Sequence, residues 1–498
     1  MKYLLSFVFV IILFTNASSQ VNVEKLNAYI QKSLKQWEVP GFAMAIVKDG
    51  KVVLSKGYGV RELGKPDIVN EQTIFDICST TKAMTAAAMG LLVDEGKVKW
   101  DDRVVQHLPE FQLYDPYVTR ELRIRDLFTH NAGLGNADFL WAGNENLTQD
   151  EILYKMRLVE PAYSLRGGYT YQNIMYLAAG KVIERLSGMP WERFMQERLF
   201  KPLGMSNTYP NGETSLVEKN RSIPHHRADG KIIPIQDLSA DPIAPAGAIW
   251  SSIEDMAKWT QFMLDSARVN GKRLLKPETY AELLRPQVII PQNQFYPTVQ
   301  LTKPHWTTYA LGWFQHDYNG RAVSFHTGSL PGTIAIIGLI PDEKLGVFVL
   351  GNLDHAEVRH ALMYKVFDVF AGLENGRDWS TEIQNLYKKL DEPSEKRRKE
   401  WEAKRVQNTK PTLALAAYAG KYTHPLYGTL EVSWQNNQLQ IKSERMSANL
   451  KHWHYNTFYG KWNNEAWRDN NYHTFHVDVA GNPAVLETGG IQYKRVEK

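Results

Sequence analysis

Ser79 and Lys82 stand three residues apart in Cys78-Ser79-Thr80-Thr81-Lys82, at the head of the alanine-rich run Ala83-Met84-Thr85-Ala86-Ala87-Ala88-Met89. A serine hydroxyl is a weak nucleophile at neutral pH and needs a neighbouring base. A lysine in an apolar pocket can serve, because desolvation disfavours its ammonium form. Residues three apart on a helix share a face, so the spacing suits the pair. A helix N-terminus adds partial positive charge, which disfavours the ammonium further and favours a developing oxyanion. An isolated Ser-x-x-Lys match would still read as a helix cap beside a solvated lysine. Here two further polar stretches follow in order, Tyr171-Gln172-Asn173 and His326-Thr327-Gly328, with Ser329 next. Cys78 is the one cysteine; it reads as a small buried residue rather than a rival nucleophile, and it rules out intramolecular disulfides.

The elements that must position these residues are legible in the hydrophobic pattern. Thr73-Ile74-Phe75-Asp76-Ile77 suits an extended lead-in, and the run after it suits a buried helix ending at Asp94-Glu95-Gly96. Val23, Leu26, Tyr29, Ile30, Leu34 and Trp37 recur at helical spacing over residues 22–37. Residues 42–47 and 52–55 flank Asp49-Gly50, a hairpin signal. Residues 124–134 read as a helix ending in a glycine-containing loop at Ala132-Gly133-Leu134, with Phe139, Leu140 and Trp141 after it as either pocket rim or core. Another runs from about Ile174 to Leu186, and Ser252 with Asp255 marks the start of a third. Residues 322–325, 333–340 and 345–350 are β-rich runs, followed by a closing helix over 355–371. Strands at both ends of this region imply a sheet whose first and last segments pair, with the helical middle as a second lobe.

Residues 376–410 change texture around Glu395-Lys396-Arg397-Arg398-Lys399-Glu400 and read as a solvated charged linker helix. Residues 411–498 are all-β: Leu430, Val432 and Trp434 alternate, Asn436-Asn437 turns, and Leu439 and Ile441 alternate again. That is a small barrel or sandwich of independent-domain size. At 498 residues, with 58 basic against 54 acidic side chains, the chain carries several cores and no nucleic-acid footprint. Met1-Lys2, an apolar run to Phe14 and small residues to Gln20 read as a signal peptide over 1–20, hence a periplasmic or secreted protein with no stable membrane span after cleavage. The fourteen histidines, among them His225-His226, His355 with His360 and His452 with His454, lack metal-ligand spacing, so no metal and no cofactor are expected. Asn146-Leu147-Thr148 matches a glycosylation acceptor, as short motifs do by chance.

Taken together, Ser79-Thr80-Thr81-Lys82, Tyr171-Gln172-Asn173 and His326-Thr327-Gly328 resemble the class C β-lactamase and serine-type D-Ala-D-Ala carboxypeptidase group, which includes related esterases and D-aminopeptidases. The resemblance covers residues 22–372 and includes the Thr129–Leu134 and Pro245-Ala246-Gly247 segments. It implies an α+β fold over residues 21–375, an antiparallel sheet flanked by helices plus a helical lobe. The C-terminal region resembles the lipocalin-like barrels appended to some members. Carried over residue by residue, Ser79 would be acylated, Lys82 would exchange its proton, and Tyr171 would be the second acid or base. Asn173 would bond Lys82 or a substrate amide. The N–H groups of Ser79 and Ser329 would hold the oxyanion, with His326, Thr327 and Gly328 on the substrate-binding strand. The chain departs from class C enzymes at His326, where they carry lysine; a histidine is only partly charged at neutral pH. The function implied is an exported serine hydrolase acting through an acyl-enzyme on a small peptide, amide or ester, with cell-wall peptide as one substrate class. The alternatives are a β-lactamase proper and a penicillin-binding sensor that does not turn over.

Overall fold

The computed structural model describes residues 23–142, 147–373, 376–444, 446–464 and 470–496. The signal-peptide segment and Asn146 lie outside the described residues. No helix among the described residues is long and apolar enough to cross a membrane.

The scaffold is an eight-stranded antiparallel sheet assembled from both ends of its region. A helix over residues 23–37, α1, leads into β1 (Gly41–Lys48) and β2 (Lys51–Gly59). Their turn places Asp49 and Gly50 in the left-handed region, at φ 51° and 76°, as a tight hairpin requires. The remaining strands come late: β3 (Val288–Ile289), β4 (Thr307–Tyr309), β5 (Phe314–Tyr318), β6 (Arg321–Leu330), β7 (Thr333–Ile340) and β8 (Leu345–Gly351). The order is β3-β4-β5-β6-β7-β8-β1-β2, with β1 against β8 from Phe42↔Gly351 to Lys48↔Leu345. The first and last segments pair, as the pattern requires.

Alternation along β1 divides the sheet into two faces. Phe42, Met44 and Ile46 join a core with α1 and the closing helix α5 (Val358–Phe370). Ala43 and Ala45 join the larger core beneath the helical lobe. Three helices build the lobe side: α2 (Thr81–Asp94), α3 (Ile174–Ser187) and α4 (Ile253–Leu264). Gly188 ends α3 in the left-handed conformation at φ 72°. At the start of α4, Ser252 Oγ accepts the Asp255 N–H at 3.3 Å.

The segment expected as a solvated linker departs from that expectation. It forms α6 (Trp379–Ala403), and its first turns bury Trp379, Ser380, Ile383 and Leu386. Trp379 donates from its indole to Asp368 Oδ2 at 2.7 Å and stacks on Tyr364 at 4.8 Å. The later half, rich in Lys, Arg and Glu, is largely exposed. A few apolar residues inside a charged stretch sufficed to dock it, and charge counting overlooked them.

After α6 come β9 (Gly420–His424), β10 (Gly428–Gln435), β11 (Gln438–Lys442), β12 (Ser447–His454), β13 (Thr457–Lys461), β14 (Asn470–Val477), β15 (Pro483–Thr488) and β16 (Ile491–Val496). They form a closed barrel, sealed by Lys421–Thr423 of β9 against Lys494–Val496 of β16. Closure leaves no open sheet edge. The barrel is not isolated. Leu426, in the turn after β9, is 7% exposed within the larger core beneath the helical lobe. Lys155 Nζ donates to the Pro425 carbonyl at 2.9 Å, and Tyr427 meets Phe139 edge-on at 5.9 Å.

Candidate active site

Ser79 sits on the single turn Cys78–Thr80 that joins the short strand Ile74–Asp76 to α2. That strand pairs with Trp250–Ser252, which anchors the lead-in. Cys78 is held at φ 48°, rare for a non-glycine residue, by its amide hydrogen bond to Asp76 Oδ1 at 2.7 Å. The thiol is buried, and burial with the adjacent Asp76 pushes its pKa well above the ordinary value. A protonated, enclosed thiol is not a nucleophile.

Lys82, the second residue of α2, has no solvent exposure. Its Nζ is 2.9 Å from Ser79 Oγ, 2.7 Å from Asn173 Oδ1 and 2.8 Å from the Ala246 carbonyl oxygen. Burial lowers its pKa to about 7, against an opposing pull from Asp138. A neutral amine has two N–H groups and one lone pair. The amide and carbonyl oxygens can only accept, so they take the two hydrogens and leave the lone pair for the Ser79 hydroxyl. The rings of Tyr171 and Tyr176 enclose the amine at 4.8 and 5.3 Å.

The Asn173 amide is oriented by Asp138. Asn173 Nδ2 donates to Asp138 Oδ1 at 3.0 Å, which turns Oδ1 toward Lys82. The same carboxylate oxygen accepts from the Trp141 indole at 2.9 Å. Trp141 and Leu140 are core residues, whereas Phe139 is exposed and faces the barrel. Burial pushes the Tyr171 phenol's pKa well above 10 against an opposing pull from the nearby Ser79 hydroxyl, so it carries its proton at neutral pH.

The third motif lies on β6, whose first half pairs with β5 through Phe314↔Phe325 and which pairs with β7 from Ser324 to Leu330. Beyond Phe325 the side toward Ser79 is unpaired by β5. Gly328 permits the close approach: a methyl there would fall 2.5 Å from the Ile77 carbonyl and 3.0 Å from the Ser79 nitrogen. Ser329 Oγ accepts from Arg359 Nη1 at 2.7 Å, and the Gly328 carbonyl accepts from the same guanidinium. Thr327 Oγ1 bonds the Tyr296 hydroxyl.

His326 corrects the expectation of a partly charged imidazole. It has no solvent exposure. Its Nδ1 lies 2.6 Å from the Thr327 carbonyl, which can only accept, so Nδ1 carries the hydrogen. Nε2 then accepts from the Tyr309 hydroxyl at 2.9 Å. Burial, with nearby Lys82, lowers the pKa to about 3. The ring is neutral throughout the physiological range.

Asp138 and the Ala246 carbonyl were missed by the sequence reading. A backbone oxygen has no residue-type signature, and Asp138 sits in no recognisable motif; the signal nearest to it was the adjacent aromatic triplet. A cavity of about 700 Å³ beside Leu108, Phe111 and Tyr154 holds none of the motif residues. No group of three or more metal-ligating side chains occurs among the described residues.

Residues 26–368 match the family described as Beta-lactamase. The chain belongs to the Beta-lactamase family. Within it, residues 404–494 match a second description, a domain of unknown function (DUF3471). Two Aspergillus proteins are similar to this Beta-lactamase family chain well beyond the catalytic region. The unguisins hydrolase ungD' of Aspergillus campestris is 27% identical over 441 residues, 84% of this chain and 79% of its own length. The unguisins hydrolase ungD of Aspergillus violaceofuscus is 29% identical over 443 residues, 81% of this chain and 75% of its own. Protein flp of Staphylococcus aureus is 25% identical over 68% of this chain and 64% of its own. In fold, the chain resembles the octameric penicillin-binding protein homologue from Pyrococcus abyssi, with a TM-score of 0.62 over 95% of this chain and 100% of the other, at 21% identity.

Proposed function

We propose that this Beta-lactamase-family serine hydrolase is an exported enzyme that cleaves a small peptide, amide or ester through a Ser79 acyl-enzyme. The observation that carries the reading is the Lys82 amine, 2.9 Å from Ser79 Oγ and with a pKa near 7. Its lone pair takes the hydroxyl proton as Ser79 Oγ attacks the substrate carbonyl. The Ser79 N–H, with that of Ser329 on the adjoining strand, receives the developing oxyanion. Tyr171, which carries its proton, donates to the leaving group and recovers that proton through the cluster when water releases the acyl group. The substrate is held along the unpaired side of β6 by backbone hydrogen bonds.

Peptide, amide or ester is favoured over β-lactam as substrate because His326 offers no positive charge for a drug's carboxylate. The two relatives named as unguisins hydrolases support turnover rather than a silent sensor. Export rests on the leader-like first twenty residues alone, and cell-wall peptide remains one substrate class within the reading.

The test is labelling with a fluorophosphonate or a labelled penicillin, followed by intact mass over time. One adduct per chain, absent in Ser79→Ala and present in Cys78→Ala, is the expected result. A penicillin adduct that never decays, with no turnover of peptides, amides or esters, would favour the sensor. Cephalosporin hydrolysis faster than every peptide, amide and ester tried would make the protein a β-lactamase.

A further inference from the structure

We propose that His130 is a positioning residue that fixes the Tyr171 phenol over Ser79 by clamping residues 170–172; the proposal rests on the acid–base role given to Tyr171 above. The clamp has three contacts. The His130 carbonyl accepts the Thr170 N–H at 2.9 Å. Its Nδ1 accepts the Gln172 N–H at 3.0 Å. Between them, its ring lies 4.3 Å from the Tyr171 ring at an interplanar angle of 33°. One residue therefore holds the tyrosine's face and both flanking amides. The Tyr163 hydroxyl, 2.9 Å from the same carbonyl, braces the clamp from the other side.

Two costs show that the imidazole does more than fill space. His130 has φ 59°, a left-handed conformation that non-glycine residues seldom adopt. Because Nδ1 accepts from a backbone N–H, the neutral ring carries its hydrogen on Nε2. That buried atom has no hydrogen-bond partner. An unpaired buried donor in a packed core calls for an explanation. A phenyl ring would avoid it while supplying the same flat face. What the phenyl ring lacks is the Nδ1 acceptor, and the Gln172 amide would then be the unpaired group. Burial, with Lys82 and His326 nearby, keeps the ring neutral, so the acceptor persists across the working range.

A clamp acting through Tyr171 predicts a specific kinetic pattern. His130→Asn retains an acceptor for the Gln172 N–H and loses the ring face; His130→Phe does the reverse. Each is measured for the rate of Ser79 phosphonylation by a fluorophosphonate, with fluoride as the leaving group and with the maximal rate and half-saturating concentration resolved separately. Both should slow the maximal rate by about tenfold or more while half-saturation stays within about twofold, the pattern of a misplaced reacting group rather than lost binding. His130→Ala should be worse than either. The deciding measurement repeats the substitutions in a Tyr171→Phe background. There the further loss should shrink to about twofold or less, because the two residues act as one unit.

An equal loss in both backgrounds would overturn the proposal, and so would an effect confined to half-saturation. If His130 variants fail to fold, Tyr163→Phe releases the brace without touching the buried ring. It should show a smaller loss with the same dependence on Tyr171; no such dependence counts against the clamp. The two readings fail separately. Labelling that survives Ser79→Ala removes the proposed nucleophile, whereas additive His130 effects on Ser79-dependent labelling remove only the clamp.

Discussion

At the scale of single residues, the chemistry turns on which groups hold protons at neutral pH. Lys82, lowered to about 7 by burial, is the base of the proposed acylation in its neutral form. Acylation should therefore rise with pH through about 7 and level off above it. His326, lowered to about 3, adds no inflection near the ordinary imidazole value. Asp138 opposes the burial effect on Lys82, because a carboxylate favours the ammonium. Asp138→Asn keeps an oxygen for the Asn173 and Trp141 donors and removes the charge. Its rising limb should move to lower pH, read from a rate profile of fluorophosphonate labelling. An unmoved limb would mean that a group other than Lys82 sets it.

At the scale of elements, the proposed Ser79 chemistry requires β6 to lie against the turn that carries Ser79. Gly328 sets that distance, since an added methyl would fall 2.5 Å from the Ile77 carbonyl and 2.7 Å from Cys78 Cβ. Backbone cannot yield as a long side chain can. Gly328→Ala should cost about 1–3 kcal/mol of stability, as overpacking does. It should also slow Ser79 labelling by more than the loss of folded protein explains. Thermal unfolding and labelling on the same sample separate the two effects. A comparable approach occurs at Gly180 of α3, where a methyl would fall 2.3 Å from the Pro245 ring. That contact seats the Ala246 carbonyl that takes a Lys82 hydrogen.

At the scale of the whole molecule, α6 and the barrel are bound to the catalytic region through specific side chains. Besides Trp379, the Tyr29 hydroxyl donates to Asp378 Oδ1 at 2.9 Å and the Trp37 indole to Ser380 Oγ at 3.1 Å. A chain ending at residue 374 loses these contacts; losing a buried tryptophan alone costs about 3–5 kcal/mol. That chain should aggregate or melt far earlier, whereas one ending at 404 should fold and label at Ser79. Soluble, equally stable protein from both would show that the first turns of α6 are dispensable. Leu426→Asp in the full chain tests the barrel contact: it should lower the melting temperature without loosening the barrel itself.

The sequence by itself determined the order and type of most elements and three of the side chains around Ser79. The continuous apolar, β-rich runs of β1, β7 and β8, the hairpin at Asp49-Gly50 and the helical runs of α2 and α3 are patterns within a dozen residues, so local sequence carries them. Lys82, Tyr171 and Asn173 were legible because residue type and spacing suffice to suggest acid–base chemistry. What only the tertiary structure decided depends on groups far apart in the chain. The amide orientation of Asn173 comes from Asp138, 35 residues away. The neutrality of His326 comes from enclosure together with Tyr309 and the Thr327 carbonyl. The docking of α6 comes from four buried residues in a charged stretch. Burial and hydrogen-bond direction belong to the packed assembly, because a side chain's dielectric surroundings are made by residues that its own neighbourhood in sequence does not contain.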